Sequence, residues 1–198
     1  MLIHQWELIA EAVPRIELSA ASRVDGWRNR EVLAHLYVQP GLVIRFLQSG
    51  TEGQPTMGAA ENLSGMRAFH DLIDSSAREG AILGNFDLGI PLAKARTRVL
   101  EADLAATIET VQGSISVSDY LVTRCVEAVV HGCDLIDAVT PDSGAQLITS
   151  ATLLDVLSAS APQLVPEAEA LPIQAWIDIA TGRSSATGPL AAVTPVMS

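Results

Sequence analysis

Glu127 and His131 stand four residues apart in Arg124-Cys125-Val126-Glu127-Ala128-Val129-Val130-His131. On a helix that spacing points both side chains the same way, with Cβ atoms ~6 Å apart. A metal ion ~2.0–2.2 Å from each ligand atom can bridge the gap. His35 lies in the apolar run Val32-Leu33-Ala34-His35-Leu36. If it faces the Glu127/His131 stripe, the three residues supply two imidazoles and a carboxylate. Three protein ligands with a fourth position open describe a catalytic-type zinc site, or a comparable nickel or iron site. Tyr120, Arg124 and Asp134 share the stripe. Asp134, one turn beyond His131, is placed to orient that imidazole from behind. Arg124, one turn before Glu127, is placed to pair with the carboxylate or to meet an anionic substrate.

Each residue also has a plainer reading. A polar stripe is usually a solvated face, and Glu-His at i,i+4 is a common surface pair. Val122, Val126, Val129, Cys133 and Ile136 occupy the opposite stripe, so the helix is expected to bury that face and expose the polar one. A lone histidine in an apolar run is more often a core residue than a ligand. The pattern is not the His-Glu-x-x-His of zincins, nor the repeated Glu-x-x-His of di-iron bundles. His4 and His70 read as surface or boundary residues. No Gly-x-Ser-x-Gly elbow supports a nucleophilic triad, and Cys133 projects ~200° around the helix from His131. Gly80 to Gly89 fits neither nucleotide-binding fingerprint.

The elements that carry these residues are helical. A first helix is expected over about Leu2 to Leu18. A second begins near Trp27, carries His35 and continues to Leu47, kinked or split at Pro40-Gly41. A third spans about Asn62 to Arg78, with Gly80 to Gly89 as a connector. A fourth runs from Pro91 to about Val111. Ser116 and Asp119 open the helix that bears Glu127 and His131, which continues to about Val139. Thr140 to Gly144 stops it, and shorter helices follow near Leu147 to Ser160 and Pro172 to Thr181. Ser114 to Val117 alternates, but is too short to build a sheet. The class is therefore all-α, a bundle of long helices. Residues 1–183 form the metal-binding helical domain, and 184–198 an extended or mobile tail.

Composition narrows the partners. The chain has 198 residues, enough for one domain with a sizeable core. Aromatics are only 4%, so aliphatic side chains and alanine must fill that core. Twelve Lys and Arg against a net charge of −11 make no basic patch, so nucleic acid and anionic membrane are not expected partners. Met1 to Ala12 lacks a basic n-region and an unbroken apolar run, so it does not read as a signal peptide. No stretch approaches ~18 consecutive apolar residues. The expected location is cytoplasmic. Cys125 and Cys133, ~12 Å apart along one helix, cannot reach the ~7 Å Cα spacing of a disulfide and read as packed free thiols.

Three segments together resemble a known family. Trp27-Arg28-Asn29-Arg30-Glu31-Val32-Leu33-Ala34-His35-Leu36 is similar to the second-helix motif of the mycothiol-dependent maleylpyruvate isomerase N-terminal domain. Arg124 to Leu135 resembles that family's second motif, and Trp176 with Thr181-Gly182-Arg183 the segment that closes the domain. The family belongs to the DinB/YfiT-like metalloenzymes. The resemblance implies a four-helix bundle, up-down with a long crossover, plus short C-terminal helices. It implies that His35, Glu127 and His131 bind a divalent metal, most often zinc. It also implies a thiol-dependent transferase or isomerase acting on a small electrophile, with a low-molecular-weight thiol such as mycothiol as cosubstrate. The alternative is a non-enzymatic helical module that binds a small molecule or partner and keeps a structural or vestigial metal site. A homodimer is expected from the apolar stripe of Leu92, Val99, Leu100, Leu104 and Ile108.

Overall fold

Four helices close a ring. They are α1 (Leu2–Ala12), α2 (Asn29–Leu47), α5 (Gly89–Glu101) and α6 (Val117–Asp134). In this computed structural model, which describes residues 1–84, 86–135 and 138–197, α1 and α2 each pack against both α5 and α6. The long connection from α2 to α5 carries α3 (Ala59–Gly65) and α4 (His70–Leu83), and α4 lies along α2. After α6, the helices α7 (Ser143–Ser160), α8 (Val165–Glu169) and α9 (Ile173–Ala180) form a second layer, with α7 against α6 and α9 against α7. The all-α expectation holds. Trp6, Leu33, Leu36, Val126, Val129, Leu153 and Trp176 fill the core between these helices.

The boundaries differ from expectation in instructive places. The first helix stops at Ala12, because Pro14 turns Val13–Arg15 into a 3-10 turn. Helix α2 runs unbroken through Pro40. A proline inside a helix costs ~3 kcal/mol, but Leu33, Leu36, Pro40 and Val43 are all buried, and each large apolar side chain returns ~1.5–3 kcal/mol. The third expected helix divides at a 3-10 turn over Met66–Phe69, and α4 runs on past Gly80 to Leu83. Gly84 ends it with φ +66°, a left-handed conformation that costs glycine nothing.

The fourth expected helix is shorter than its apolar spacing suggested. It ends at Glu101, and Thr107–Thr110 is a strand, β2. It pairs antiparallel with β3 (Gly113–Ser116) and with the short β1 (Gly50–Thr51). The cross-strand pair Ile108 and Ile115 is buried on the core side, which anchors the hairpin. A sheet was not expected here, because the apolar positions are too few to set a period. The expected apolar stripe therefore loses Ile108 to the hairpin and Leu92 to the core, whereas Leu100 is exposed.

Caps follow the side chains. Ser116 Oγ accepts from the Asp119 amide at 3.0 Å and starts α6. Asp142 Oδ1 accepts from the Ala145 amide at 2.8 Å and starts α7 four residues earlier than expected. Glu31 accepts from the Arg28 amide at 2.8 Å and fixes the first turn of α2. In the segment expected to be an extended tail, Gly188–Ala192 is a 3-10 turn with Leu190 buried, and the Val196 amide donates to the Ala180 carbonyl at 2.9 Å.

Candidate metal centre

The polar stripe of α6 is not solvent-facing. Tyr120, Arg124, Glu127 and Asp134 are all buried. The expectation of an exposed polar face is corrected by the packing of α1, α2 and α7 against α6. Ile136, assigned to the opposite stripe, lies outside the described residues. At Gly132 an added Cβ would stand 3.2 Å from Gln5 Nε2 and 3.6 Å from Ile9, so glycine here permits the close approach of α1 and α6.

The stripe faces α2, and the two helices bring His35, Glu127 and His131 together. Their ligand atoms all lie within 4.8 Å of one another. His35 Nε2 is 2.9 Å from Glu127 Oε2, and His131 Nε2 is 3.6 Å from the same oxygen. The two imidazoles meet edge to face, with centroids 4.7 Å apart. Burial lowers the basicity of His35, although Glu127 pulls the other way. Burial pushes the Glu127 carboxyl up, but the hydrogen bond with His35 and the nearby positive groups outweigh it and hold it well below the usual carboxylate range.

The hydrogen bonds around the triad fix which atoms face one another. Arg183 donates to both oxygens of Asp134, from Nε at 3.0 Å and from Nη2 at 2.6 Å. Burial raises the Asp134 carboxyl, yet its bonds to His131 and Arg183 bring it down to about 2. Ionised, Asp134 accepts from His131 Nδ1 at 2.8 Å. With Nδ1 bonded to Asp134, Nε2 is the ring nitrogen turned toward Glu127. A cation, whether a proton or a metal ion, fits between that nitrogen and the carboxylate.

A conflict sits at His35. Arg124 Nη1 donates to Gln39 Oε1 at 2.9 Å, so the amide NH₂ of Gln39 faces His35 Nε2 at 3.1 Å. One ring nitrogen cannot accept from Gln39 and donate to Glu127 together. The donor set therefore fits a divalent metal: two imidazoles, a carboxylate, and a buried Asp134 fixing one imidazole as metal-bound histidines commonly require.

Arg124 does not pair with Glu127; it binds Gln39 and the neighbouring Thr123 hydroxyl. Three contributors escape a reading of spacing. Gln39 is linked to Arg124 and His35 across two helices. Trp27 stacks on His131, with centroids 6.3 Å apart, and donates from Nε1 to Asp74 at 2.7 Å. Arg183 approaches from beyond α9. Only its place in the closing segment marked it, and its distance from Asp134 in sequence hid the pair. His4 and His70 are exposed and stand outside the triad. Both cysteines are free, and burial pushes each thiol up to about 11, so neither is an activated nucleophile.

Two cavities meet at the triad. One, of about 460 Å³, is mostly apolar and reaches His35, Glu127 and Arg124. The other, of about 340 Å³, is lined by Asp25, Asp74, Arg78 and Arg183 and reaches His35, Glu127 and His131. A third, of about 510 Å³, lies apart between α1, α5 and α6.

Residues 2–136 match the family model described as the mycothiol maleylpyruvate isomerase N-terminal domain. No curated protein and no solved structure matches the chain. No helix among the described residues is long and apolar enough to cross a membrane.

Proposed function

Since the chain belongs to the mycothiol maleylpyruvate isomerase N-terminal domain family, we propose that it is a metal-dependent enzyme of thiol transfer or isomerisation. His35, Glu127 and His131 hold one divalent metal, zinc by preference. The cosubstrates are a low-molecular-weight thiol, such as mycothiol, and a small electrophile. The observation that carries this reading is the convergence of three ligand atoms within 4.8 Å, on buried His35 and Glu127 and part-buried His131, at a point where two cavities meet. When bound, the metal would supply a positive centre that favours a thiolate over a thiol near neutral pH.

The chain's own residues do the rest. Asp134, clamped by Arg183, keeps His131 in the tautomer that offers Nε2. Trp27 covers the His131 ring and limits water on that side. Gln39 presents N–H donors beside the site, where an anion can accept them. The charged cavity suits a polar thiol, and the apolar one a small electrophile. The test compares conjugation of several thiols, mycothiol among them, to a generic electrophile by metal-loaded and metal-stripped protein. Faster reaction with the loaded protein is expected. Equal rates would set the enzyme reading aside and favour a non-enzymatic binding module.

A homodimer is part of the same proposal. Leu100 and Leu104 of the α5 region are exposed at 74% and 53%, and both border the third cavity. A second copy of the chain would cover them.

A further inference from the structure

Arg124 is 5% exposed, yet no carboxylate among the described residues lies within ion-pair distance of it. Its bonds go to neutral partners, Gln39 and Thr123. A buried guanidinium without a counter-charge is costly. Glu127, three residues on along α6, feels the charge of Arg124, and a divalent ion would claim that carboxylate and leave the site with excess positive charge. One turn before Arg124 on α6, Tyr120 is 3% exposed, and its hydroxyl has no hydrogen-bond partner among the described residues. Both residues line the apolar cavity of about 460 Å³, within the ~300–1,000 Å³ range of small-molecule sites. The remaining walls near them include Phe46, Phe69, Leu72 and Ile73.

We propose that this cavity binds an organic monocarboxylate, its apolar body among Phe46, Phe69, Leu72 and Ile73 and its carboxylate on Arg124 and Tyr120. The assignment rests on the thiol-transfer reading in one respect: the acid is taken as the electrophilic cosubstrate. The chemistry selects an acid over a neutral or cationic compound, because only an anion neutralises Arg124. It selects one carboxylate on an apolar body over a sugar or a dicarboxylate, because Arg124 is the buried cation of this lining, Arg45 is exposed, and beyond Gln39, Asn62, Gln112 and Glu127 the wall is mostly apolar. A carboxylate held here stands on the Glu127 side of the triad, beside the position where a thiol is proposed to ionise.

The test is calorimetric titration of zinc-loaded protein with 3-phenylpropanoate and with its uncharged amide. The acid is expected to bind at least about tenfold more tightly than the amide, as a charge-assisted hydrogen bond implies. Arg124→Gln should abolish that preference, Arg124→Lys should retain part of it, and Tyr120→Phe should weaken the acid about threefold or more. Circular dichroism and metal content establish that each variant is folded and loaded. Equal affinity for acid and amide in the unmodified protein overturns the proposal without recourse to any variant. So does full acid binding by a folded Arg124→Gln protein, or acid binding lost on metal removal but kept in that variant, which places the carboxylate on the metal. The thiol reading is scored separately. Metal-independent conjugation with the acid preference intact removes the thiol step and leaves the anion site standing.

Discussion

Asp134 carries more of the account than its distance from the metal position suggests. It is 1% exposed, it accepts from His131 and it is clamped by Arg183. Replacing it with Asn should keep the shape but supply an amide that can present N–H to His131 Nδ1, favouring the wrong tautomer. Metal affinity is expected to fall about 10–100-fold, measured by competition with a chromophoric chelator. Arg183→Gln should reproduce a smaller part of the loss. Unchanged affinity in Asp134→Asn would mean that His131 is oriented by something else. The juxtaposition of Glu127 and His131 was legible in the chain, since i,i+4 spacing sets one against the other and Asp134 follows by one more turn; that His35 joins them was implied only by the family resemblance. The roles of Gln39 and Trp27 were not legible. They depend on the facing of α2 toward α6, which no local pattern encodes.

At the scale of elements, the start of α2 deserves a test because that helix delivers His35. Burial raises the Glu31 carboxyl, but the Arg28 amide and Arg30 outweigh it, so its folded pKa lies below the usual value. A depressed carboxylate adds stability above its unfolded pKa, about 4.3, and loses it as pH falls through the folded value. Glu31→Gln should therefore unfold more readily at pH 7, by about 0.3–1 kcal/mol. The two proteins should converge once the pH falls below the folded pKa, as read from urea denaturation. A gap that persists at low pH would assign the effect to packing instead. A second element-scale prediction concerns α5. Leu100→Glu should convert a dimer to monomer in light scattering at micromolar concentration; a monomeric parent protein would remove the dimer from the account. Helix α5 also shows where pattern misled. Leu104 and Ile108 continue the helical spacing, yet Ile108 turns into a hairpin with Ile115. An apolar residue every fourth position fits a helix and, with turns between, a pair of short strands equally well. The capping residue Ser116 was a better guide, because a cap acts through one hydrogen bond and needs no distant partner.

For the molecule as a whole, the triad links α2 to α6 across the bundle, so a bound metal should stabilise the native chain as well as equip it. A ligand at about 100 times its Kd adds about 2.7 kcal/mol. For a chain of this size each kcal/mol moves Tm by about 2–4 °C. Chelation is therefore expected to lower Tm by roughly 5–11 °C, with no matching change in a variant that lacks His131. The all-α class was legible from periodicity and from the absence of strand patterning. The inward turn of the polar stripe was not, because the sequence of α6 is equally compatible with a solvated face until its neighbours are placed. Metal content per chain reaches the central claim most directly. Protein purified without added chelator should contain about one divalent metal ion per chain by elemental analysis, and a folded His131→Ala variant should contain almost none. Full metal retention in His131→Ala, or an unmodified protein that takes up no zinc on titration, would contradict the assignment of His35, Glu127 and His131 as a metal centre.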